Sequence, residues 1–235
     1  MTSQLTLTFL TKEKIAINVW LFRLKRPENF TFFPGQYVRI FDPVEGQYIF
    51  RDFTIASSPL NHQTLDLIVK EGSSKYKEHL FAVGVGEEIL VNAPMGRFYL
   101  EDTEASELVF LAGGVGISPF YSMMQYLHEK ELDLPISLIV SFASPEETIF
   151  FEKLQQLDKQ KTIRVIPTFT KYSPKNWKGE AGRISKELIK KYIVLDNKKT
   201  FWICGSPNFV ADMENMLTEM NISLDKIRTE VFLGF

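Results

Sequence analysis

The feature that most constrains the fold is a change in sequence pattern near residue 101. Before it, short runs of β-branched and aromatic residues are separated by Pro-Gly, Asp-Pro, Glu-Gly and Asn-His breaks, which predicts a small antiparallel β-barrel. After it, apolar strands alternate with amphipathic helices, a pattern typical of a parallel sheet covered by helices. The predicted fold class is therefore two-domain: an antiparallel β-barrel at 1–102 and an α/β parallel-sheet domain at 103–235.

The same patterns predict the individual elements. In the first domain, a helix is predicted at 73–83 and strands at 15–24, 37–41, 48–55, 65–71 and 87–93. In the second domain, helices are predicted at 119–130, 145–157, 184–193 and 207–220, and strands at 107–113, 135–143, 162–169, 200–205 and 227–235.

Charge and cysteine content argue against several classes of protein. The 27 basic and 29 acidic residues nearly balance, which is not typical of a general nucleic-acid or anionic-membrane binder. The single cysteine, Cys204, allows no internal disulfide, so we expect a reducing, cytoplasmic compartment. The three histidines have no metal-ligand spacing, and no apolar run is long enough to span a bilayer.

The stretch RDFTIASSP (51–59) combines a cation, an aromatic ring and a hydroxyl within four residues. Strand alternation predicts that Arg51 and Phe53 share one face, and a buried arginine is costly unless it meets an anion. These residues therefore suit a ligand that is flat at one end and charged at the other. Alternation puts Thr54 on the opposite face, so the strand must twist or end there if all three contact one ligand.

A glycine-rich loop, LAGGVGISPF (111–120), lies between an apolar strand and an amphipathic helix. Glycine permits positive φ and close backbone approach, so a pyrophosphate could lie against the loop and the helix start. The spacing matches neither the dinucleotide-binding fingerprint GxGxxG nor a P-loop. On its own, the loop is equally compatible with a tight strand–helix turn.

Three predicted strands of the second domain end in a serine followed by proline: Ser118-Pro119, Ser144-Pro145 and Ser206-Pro207. Serine is a favoured N-cap and proline a favoured first helical residue, so each pair predicts a helix start. Glu147 would complete a capping box with Ser144. These pairs can be structural only, but the carboxyl edge of a parallel sheet is also where ligands bind.

The motifs and their order resemble the ferredoxin–NADP reductase family over nearly all of the chain. The resemblance implies an FAD-binding barrel followed by a pyridine-nucleotide-binding domain. The family motif Arg-x-Tyr-Ser/Thr corresponds to Arg51-Asp52-Phe53-Thr54, after a family-like PGQYV (34–38). It implies that Arg51 binds the FAD pyrophosphate, Phe53 flanks the isoalloxazine ring and Thr54 hydrogen-bonds near N5. Phenylalanine in place of tyrosine retains stacking but loses the phenolic hydrogen bond.

The resemblance also implies a second flavin segment, LIVKEGSSKY (67–76). The strand end, with Val69 and Lys70, would supply backbone contacts to the ring. The turn of Gly72, Ser73 and Ser74 would open a short helix under the pyrophosphate. Alternatively, Ser74 is only a helix N-cap.

In the second domain, the family's nucleotide loop corresponds to Gly114, Val115, Gly116, Ile117, Ser118 and Pro119. Its later cysteine motif corresponds to Cys204, Gly205, Ser206 and Pro207. The resemblance implies catalytic positions at Thr54, Cys204, Glu230 and Phe235, with the cysteine beside the nicotinamide and the aromatic residue over the flavin. Alternatively, Cys204 is a small buried residue at a strand end and Phe235 a packed strand residue.

The nucleotide's adenosine end would meet Ser144 and Lys171. NADPH-using relatives often place an arginine there, and this chain has none at the corresponding stretch, which favours NADH over NADPH. A single lysine with hydroxyls can still hold a 2′-phosphate.

The resemblance implies an FAD-dependent NAD(P)H oxidoreductase that passes hydride from nicotinamide C4 to flavin N5. One cysteine cannot ligate an iron–sulfur cluster, so the acceptor is expected to be a separate protein such as a ferredoxin, a flavodoxin or an oxygenase component. Two alternatives share the fold: a flavin reductase that uses free flavin, and a non-catalytic regulatory subunit.

Overall fold

The first domain is an antiparallel six-stranded sheet with one helix. The computed structural model describes residues 2–44, 46–101, 107–172, 174–196 and 198–233. The elements of the first domain are β1 (Ser3–Ala16), β2 (Val19–Lys25), β3 (Tyr37–Val44), β4 (Gln47–Thr54), β5 (Thr64–Lys70), α1 (Lys75–Ala82) and β6 (Glu88–Met95).

The strand order is β4-β3-β6-β1-β2-β5, and an antiparallel bridge between Ile55 and Leu67 brings the two ends of the sheet together. The inward-facing apolar side chains of all six strands form one core. The sheet therefore closes on itself as a barrel with α1 packed against it.

The second domain is a parallel sheet with helices on both faces. Its elements are β7 (Glu107–Gly113), α2 (Ile117–Glu129), β8 (Ile136–Phe142), α3 (Phe151–Asp158), β9 (Ile163–Phe169), β10 (Glu180–Ala181), α4 (Lys186–Tyr192), β11 (Lys199–Gly205), α5 (Pro207–Glu219) and β12 (Ile227–Val231). The strand order is β10-β9-β8-β7-β11-β12, and every paired neighbour is parallel. The predicted fold class is confirmed. The predicted domain boundary, between 102 and 103, lies outside the described residues.

The amino-terminal strand was missing from the predicted elements. The run at 15–24 is not one strand: it contains the end of β1, a hairpin turn and most of β2, because Asn18 takes a left-handed conformation with φ 56° and separates the two strands. β1 pairs with both β2 and β6, so it lies near the middle of the barrel sheet. Its exposed positions carry threonine, lysine and glutamate, so only one of its faces is apolar.

Only one of the three serine–proline pairs forms the predicted cap. Ser206 precedes α5 in extended conformation and its hydroxyl accepts from the backbone N–H of Phe209 at 3.4 Å, with Pro207 as the first helical residue. The serine cap and the proline at the first helical position are both present, so this predicted helix start is confirmed.

The prediction for Ser118 was wrong. α2 begins two residues earlier than predicted, at Ile117, and Gly116 is its N-cap. Ser118 lies in the first turn, where its hydroxyl donates to the carbonyl oxygen of Val115 at 2.6 Å. The 3₁₀ turn of the glycine loop leads directly into the helix, so no serine cap is needed.

The predicted capping box at Ser144 was also wrong, and of the helix predicted at 145–157 only the second half is present. Ser144 is extended and precedes a short 3₁₀ turn without a side-chain cap, and α3 begins only at Phe151. The Ser144 hydroxyl bonds the Glu146 carboxylate instead, which lowers the pKa of Glu146.

The two domains share a hydrophobic cluster. α2 packs between the parallel sheet and the barrel, which explains why nearly all of its first eight residues are buried. Hydrogen bonds reinforce this contact: Ser122 Oγ donates to the Ser57 carbonyl at 2.8 Å and Gln125 Nε2 to the Ala56 carbonyl at 3.2 Å. Within the described residues, no helix has the length and apolar character needed to cross a bilayer.

The difference between the serine–proline pairs is testable by unfolding. Ser206→Ala removes a helix cap and is expected to lower the free energy of unfolding by about 1 kcal/mol. Ser144→Ala is the matched control and should stay within about 0.5 kcal/mol of the wild type, because Ser144 caps no helix. Urea denaturation measures both, and equal losses would contradict the assignment.

Candidate active site

The barrel has a gap beside the RDFTIASSP strand. Beyond the Ile55–Leu67 bridge, no further pairing joins β4 to β5 among the described residues. Continuing the antiparallel register would place Phe53 opposite Val69, so the unpaired edges at Val69 and Lys70 border this gap. Unpaired strand edges carry unused N–H and C=O groups, which suit a flat ligand rich in donors and acceptors.

The register of β4 shows which of Arg51, Phe53 and Thr54 share a face of the strand. β3 and β4 pair without irregularity up to the Tyr37–Thr54 pair, so Thr54 faces away from Phe53. The strand ends at Thr54. One ligand that contacts both side chains must therefore pass the end of the strand, as the alternation predicted.

Arg51 and Phe53 lie against α1. The Arg51 guanidinium is 5.4 Å from the Tyr76 ring centroid and Nη1 donates to the Phe50 carbonyl at 2.7 Å. The Phe53 ring lies nearly parallel to that of Tyr76, with centroids 6.5 Å apart, and Phe53 is only 7% exposed. Its role beside a flavin ring stays a prediction.

The turn of Gly72, Ser73 and Ser74 leads into α1 as expected. Ser74 Oγ accepts from the backbone N–H of Lys77 at 3.3 Å, so Ser74 is the N-cap of the helix. The turn brings the helix start, with its N–H groups, to the same side of the barrel as Arg51. Helix starts favour phosphate.

Lys77 is a residue that sequence reasoning missed. It lies in the first turn of α1, is almost fully buried, and holds Nζ 4.9 Å from the Phe53 ring centroid. Burial and the Arg51 guanidinium lower the pKa of Lys77 to about 8. Two cations thus converge at one helix start, an arrangement that fits a diphosphate. The available signal was a basic residue three positions after a serine cap.

The glycine loop shows both backbone features that were predicted for it. Gly114 has φ 54°, in the left-handed region. A Cβ on Gly116 would lie 2.3 Å from the Cys204 carbonyl oxygen, so the loop can rest on the end of β11 only if this residue is glycine. Val115 and Ile117 continue the loop into α2, and the close approach of Gly116 to Cys204 and Gly205 joins the loop to the cysteine motif.

Cys204 and Glu230 are neighbours on β11 and β12. Cys204 is fully buried, and burial followed by the Glu230 charge raises the pKa of its thiol well above the usual value. Burial and the Asp52 carboxylate of the barrel raise the pKa of Glu230 to about 6. Burial and nearby carboxylates, Glu230 among them, raise the pKa of Tyr37, which pairs with Thr54 in the barrel sheet. Glu230 therefore lies near the face of the barrel that carries Thr54. Phe235 lies outside the described residues.

Ser144 and Lys171 lie just past the carboxyl ends of the paired strands β8 and β9. The Lys171 N–H donates to the carbonyl oxygen of Ala143 at 3.0 Å, beside Ser144. The Lys171 side chain is exposed, and Glu146, bonded to Ser144, adds a carboxylate to the same corner.

Comparisons with known proteins identify the type of both domains. Residues 6–99 match the model for the oxidoreductase FAD-binding domain, and residues 110–215 match the model for the oxidoreductase NAD-binding domain. Among solved structures, a ferredoxin NADP+ reductase from Neisseria gonorrhoeae with bound FAD and NADP is similar, with a TM-score of 0.86, 23% identity and coverage of 98% of this chain and 99% of that one.

Two curated relatives match in sequence. The glycine betaine monooxygenase reductase subunit of Chromohalobacter salexigens is 24% identical over 92% of this chain and 60% of the relative. The flavohemoprotein of Oceanobacillus iheyensis is 25% identical over 94% of this chain and 57% of the relative. The chain thus spans little more than half the length of these two relatives.

The close approach at Gly116 predicts a strong effect of a single methyl group. Gly116→Ala should lower the free energy of unfolding by about 1–3 kcal/mol, because the new Cβ would meet backbone atoms that cannot swing away. Gly84→Ala, where the nearest atom lies 3.6 Å from the new Cβ, is the control and should lose no stability. Urea unfolding of both variants measures this, and equal stability of the two would refute the packing argument.

The raised pKa of Glu230 predicts a pH-dependent stability. The folded state holds this proton more tightly than the unfolded state, so the free energy of unfolding should fall as pH rises from about 4.5 to 6. Glu230→Gln cannot ionise, so this loss of stability should be absent from the variant. The free energy of unfolding of the variant, minus that of the wild type, should therefore be larger at pH 7 than at pH 5 by about 1–2 kcal/mol. Parallel pH profiles from urea unfolding would show that the carboxyl is not perturbed.

Proposed function

Because the chain belongs to the ferredoxin–NADP reductase-like family of flavoprotein oxidoreductases, we propose that it passes electrons from a reduced nicotinamide nucleotide, through bound FAD, to a separate acceptor protein. The observation that carries this proposal is the junction of the two domains, where Ser122 and Gln125 of α2 hydrogen-bond to the barrel backbone. At the same junction, burial and the Asp52 carboxylate of the barrel raise the pKa of Glu230 in the nucleotide-binding domain. FAD, when bound, supplies a ring that accepts hydride from nicotinamide and can release electrons singly.

The barrel residues would hold FAD. Arg51 would bind the diphosphate through its planar fork, and the start of α1, with the turn of Gly72, Ser73 and Ser74, would bind it from the other side. The backbone edge at Val69 and Lys70 would hydrogen-bond the ring, and Phe53 would limit its movement. The convergence of basic groups at this helix start supports the assignment.

The nucleotide-binding domain would hold the nicotinamide nucleotide along the carboxyl edge of its sheet. The loop from Gly114 to Pro119 would lie under the pyrophosphate. The backbone from Gly205 to Pro207 and the cap of α5 would position the nicotinamide end. The glycine at 116, which no larger residue can replace without a clash, supports a loop shaped for close contact.

Four residues would act near the reacting atoms. Thr54 would hydrogen-bond close to flavin N5, and Cys204 would contact the nicotinamide as a neutral thiol, because its pKa is raised by burial. Glu230, with a pKa of about 6, would hold a proton at its carboxyl in weakly acidic solution. Phe235 would cover the flavin ring in the absence of nucleotide.

NADH is the proposed reductant. Ser144 and Lys171 would face the adenosine ribose, but the Glu146 carboxylate is bonded to Ser144 in the same corner. A carboxylate accepts a hydrogen bond from a ribose 2′-hydroxyl and repels a 2′-phosphate. The single lysine is exposed and gives little compensation.

The proposed acceptor is a separate protein, such as a ferredoxin, a flavodoxin or an oxygenase component. The name of the Chromohalobacter relative, a reductase subunit of a monooxygenase, supports this type of partner. The one cysteine of the given sequence cannot hold an iron–sulfur cluster. A cytoplasmic location stays a prediction.

An anaerobic titration tests the proposal. The purified protein should show a flavin absorption band that NADH bleaches, and bleaching by NADPH should be slower by at least about tenfold, since the repulsion at Glu146 acts only on the phosphorylated nucleotide. Stopped-flow absorption with each nucleotide at equal concentration gives the two rates.

Other outcomes would refute particular parts of the proposal. A flavin band that neither nucleotide bleaches would contradict the oxidoreductase function. A colourless protein that rapidly reduces added riboflavin would be a flavin reductase. Faster bleaching by NADPH would contradict only the NADH preference, and iron–sulfur absorption would contradict the separate acceptor.

A further inference from the structure

Three basic residues of the described chain are more than nine-tenths buried, and they differ in how their charges are met. Arg26, 7% exposed, donates to the carbonyl oxygens of Phe30, Pro59 and Asn61 at 2.6–2.9 Å. Lys199, 5% exposed, is paired with two carboxylates at 2.9 and 3.0 Å. Both cations are therefore satisfied within the protein.

Lys77 is the exception. It is 8% exposed, and within the described residues no hydrogen bond or ion pair of Nζ is found, although Nζ itself is not completely enclosed by protein. Its contact is the face of the Phe53 ring, 4.9 Å from the centroid. An aromatic face attracts a cation but does not replace the hydration that burial removes.

The surroundings of Lys77 add positive potential. The charged group that acts on it is Arg51, which together with burial lowers the pKa of Lys77. The start of α1, where Ser74 caps the helix, contributes the positive end of a helix dipole. An arrangement of two cations and a helix start is unfavourable by itself and becomes favourable when a multivalent anion lies among them.

We infer that Lys77 binds FAD: the Lys77 ammonium group contacts the cofactor diphosphate together with the Arg51 guanidinium. The long, flexible side chain lets Nζ leave the Phe53 ring and turn towards the anion. This inference rests on the proposed function, because it requires FAD to be the cofactor of the barrel.

The inference predicts opposite effects on cofactor binding and on the stability of the apoprotein. Lys77→Met keeps a similar length but removes the buried charge. The apoprotein should unfold at the same or a higher temperature than the wild-type apoprotein, since an unpaired buried ammonium is lost. FAD affinity should fall about 10- to 100-fold, because a hydrogen bond to a charged group is lost.

The experiment removes FAD from the purified protein and titrates the apoprotein with FAD, following flavin fluorescence. Lys186→Met is the matched control: it also lies in the first turn of a helix, its side chain is 39% exposed and its ammonium pairs with Glu219, so FAD affinity should change less than about threefold. Lys77→Arg retains the charge and should bind FAD closer to wild type than Lys77→Met does. Thermal unfolding of each apoprotein completes the set.

Several results would overturn the inference. Lys77→Met could bind FAD as tightly as wild type, or Lys77→Arg could lose as much affinity as Lys77→Met. A loss of apoprotein stability in Lys77→Met, in proportion to its loss of affinity, would show a packing role instead. A wild-type apoprotein that takes up no FAD would refute the proposed function itself, a result that is distinguishable because it does not depend on the variants.

Discussion

The contact between α2 and the segment directly after β4 determines how the proposed flavin site of the barrel and the proposed nucleotide site of the second domain are placed relative to each other. The carbonyl oxygens of Ala56 and Ser57 accept from side chains of α2, and apolar residues of both domains pack around these bonds. Thr54 lies two residues before this contact, and the glycine loop lies directly before α2. One buried interface thus fixes the distance and orientation between the proposed flavin strand and the proposed nucleotide loop.

Both proposed sites contain features that lower stability in the absence of a ligand. The barrel buries Lys77 near Arg51, and the junction holds Glu230 with a pKa raised to about 6 beside Asp52. The nucleotide loop needs glycine at 116 to approach β11. Such features concentrate at functional sites, where binding a ligand compensates for them. The other two basic residues that are almost fully buried in the described part of the chain have partners: Arg26 donates to backbone carbonyl oxygens and Lys199 pairs with two carboxylates.

Much of the fold was predictable because the signals are local. Alternation and turn residues identified a β-barrel domain with one helix before an α/β domain, and the Ser206-Pro207 cap lies where the sequence indicated. The other two serine–proline pairs carry the same local signal, yet neither caps a helix. At Ser118 the glycine loop had already started the helix, and at Ser144 the hydroxyl bonds Glu146, so neighbouring structure overrode the local preference.

The sequence by itself determined the order of the domains, the glycines that the loop requires and the opposite faces of Phe53 and Thr54, because backbone sterics and strand period act over a few residues. Only the tertiary structure decided that Lys77 is buried beside Arg51 and that Glu230 lies near Asp52 of the barrel. These relations join residues that are distant in the chain, and their charges and burial depend on packing that no local pattern encodes.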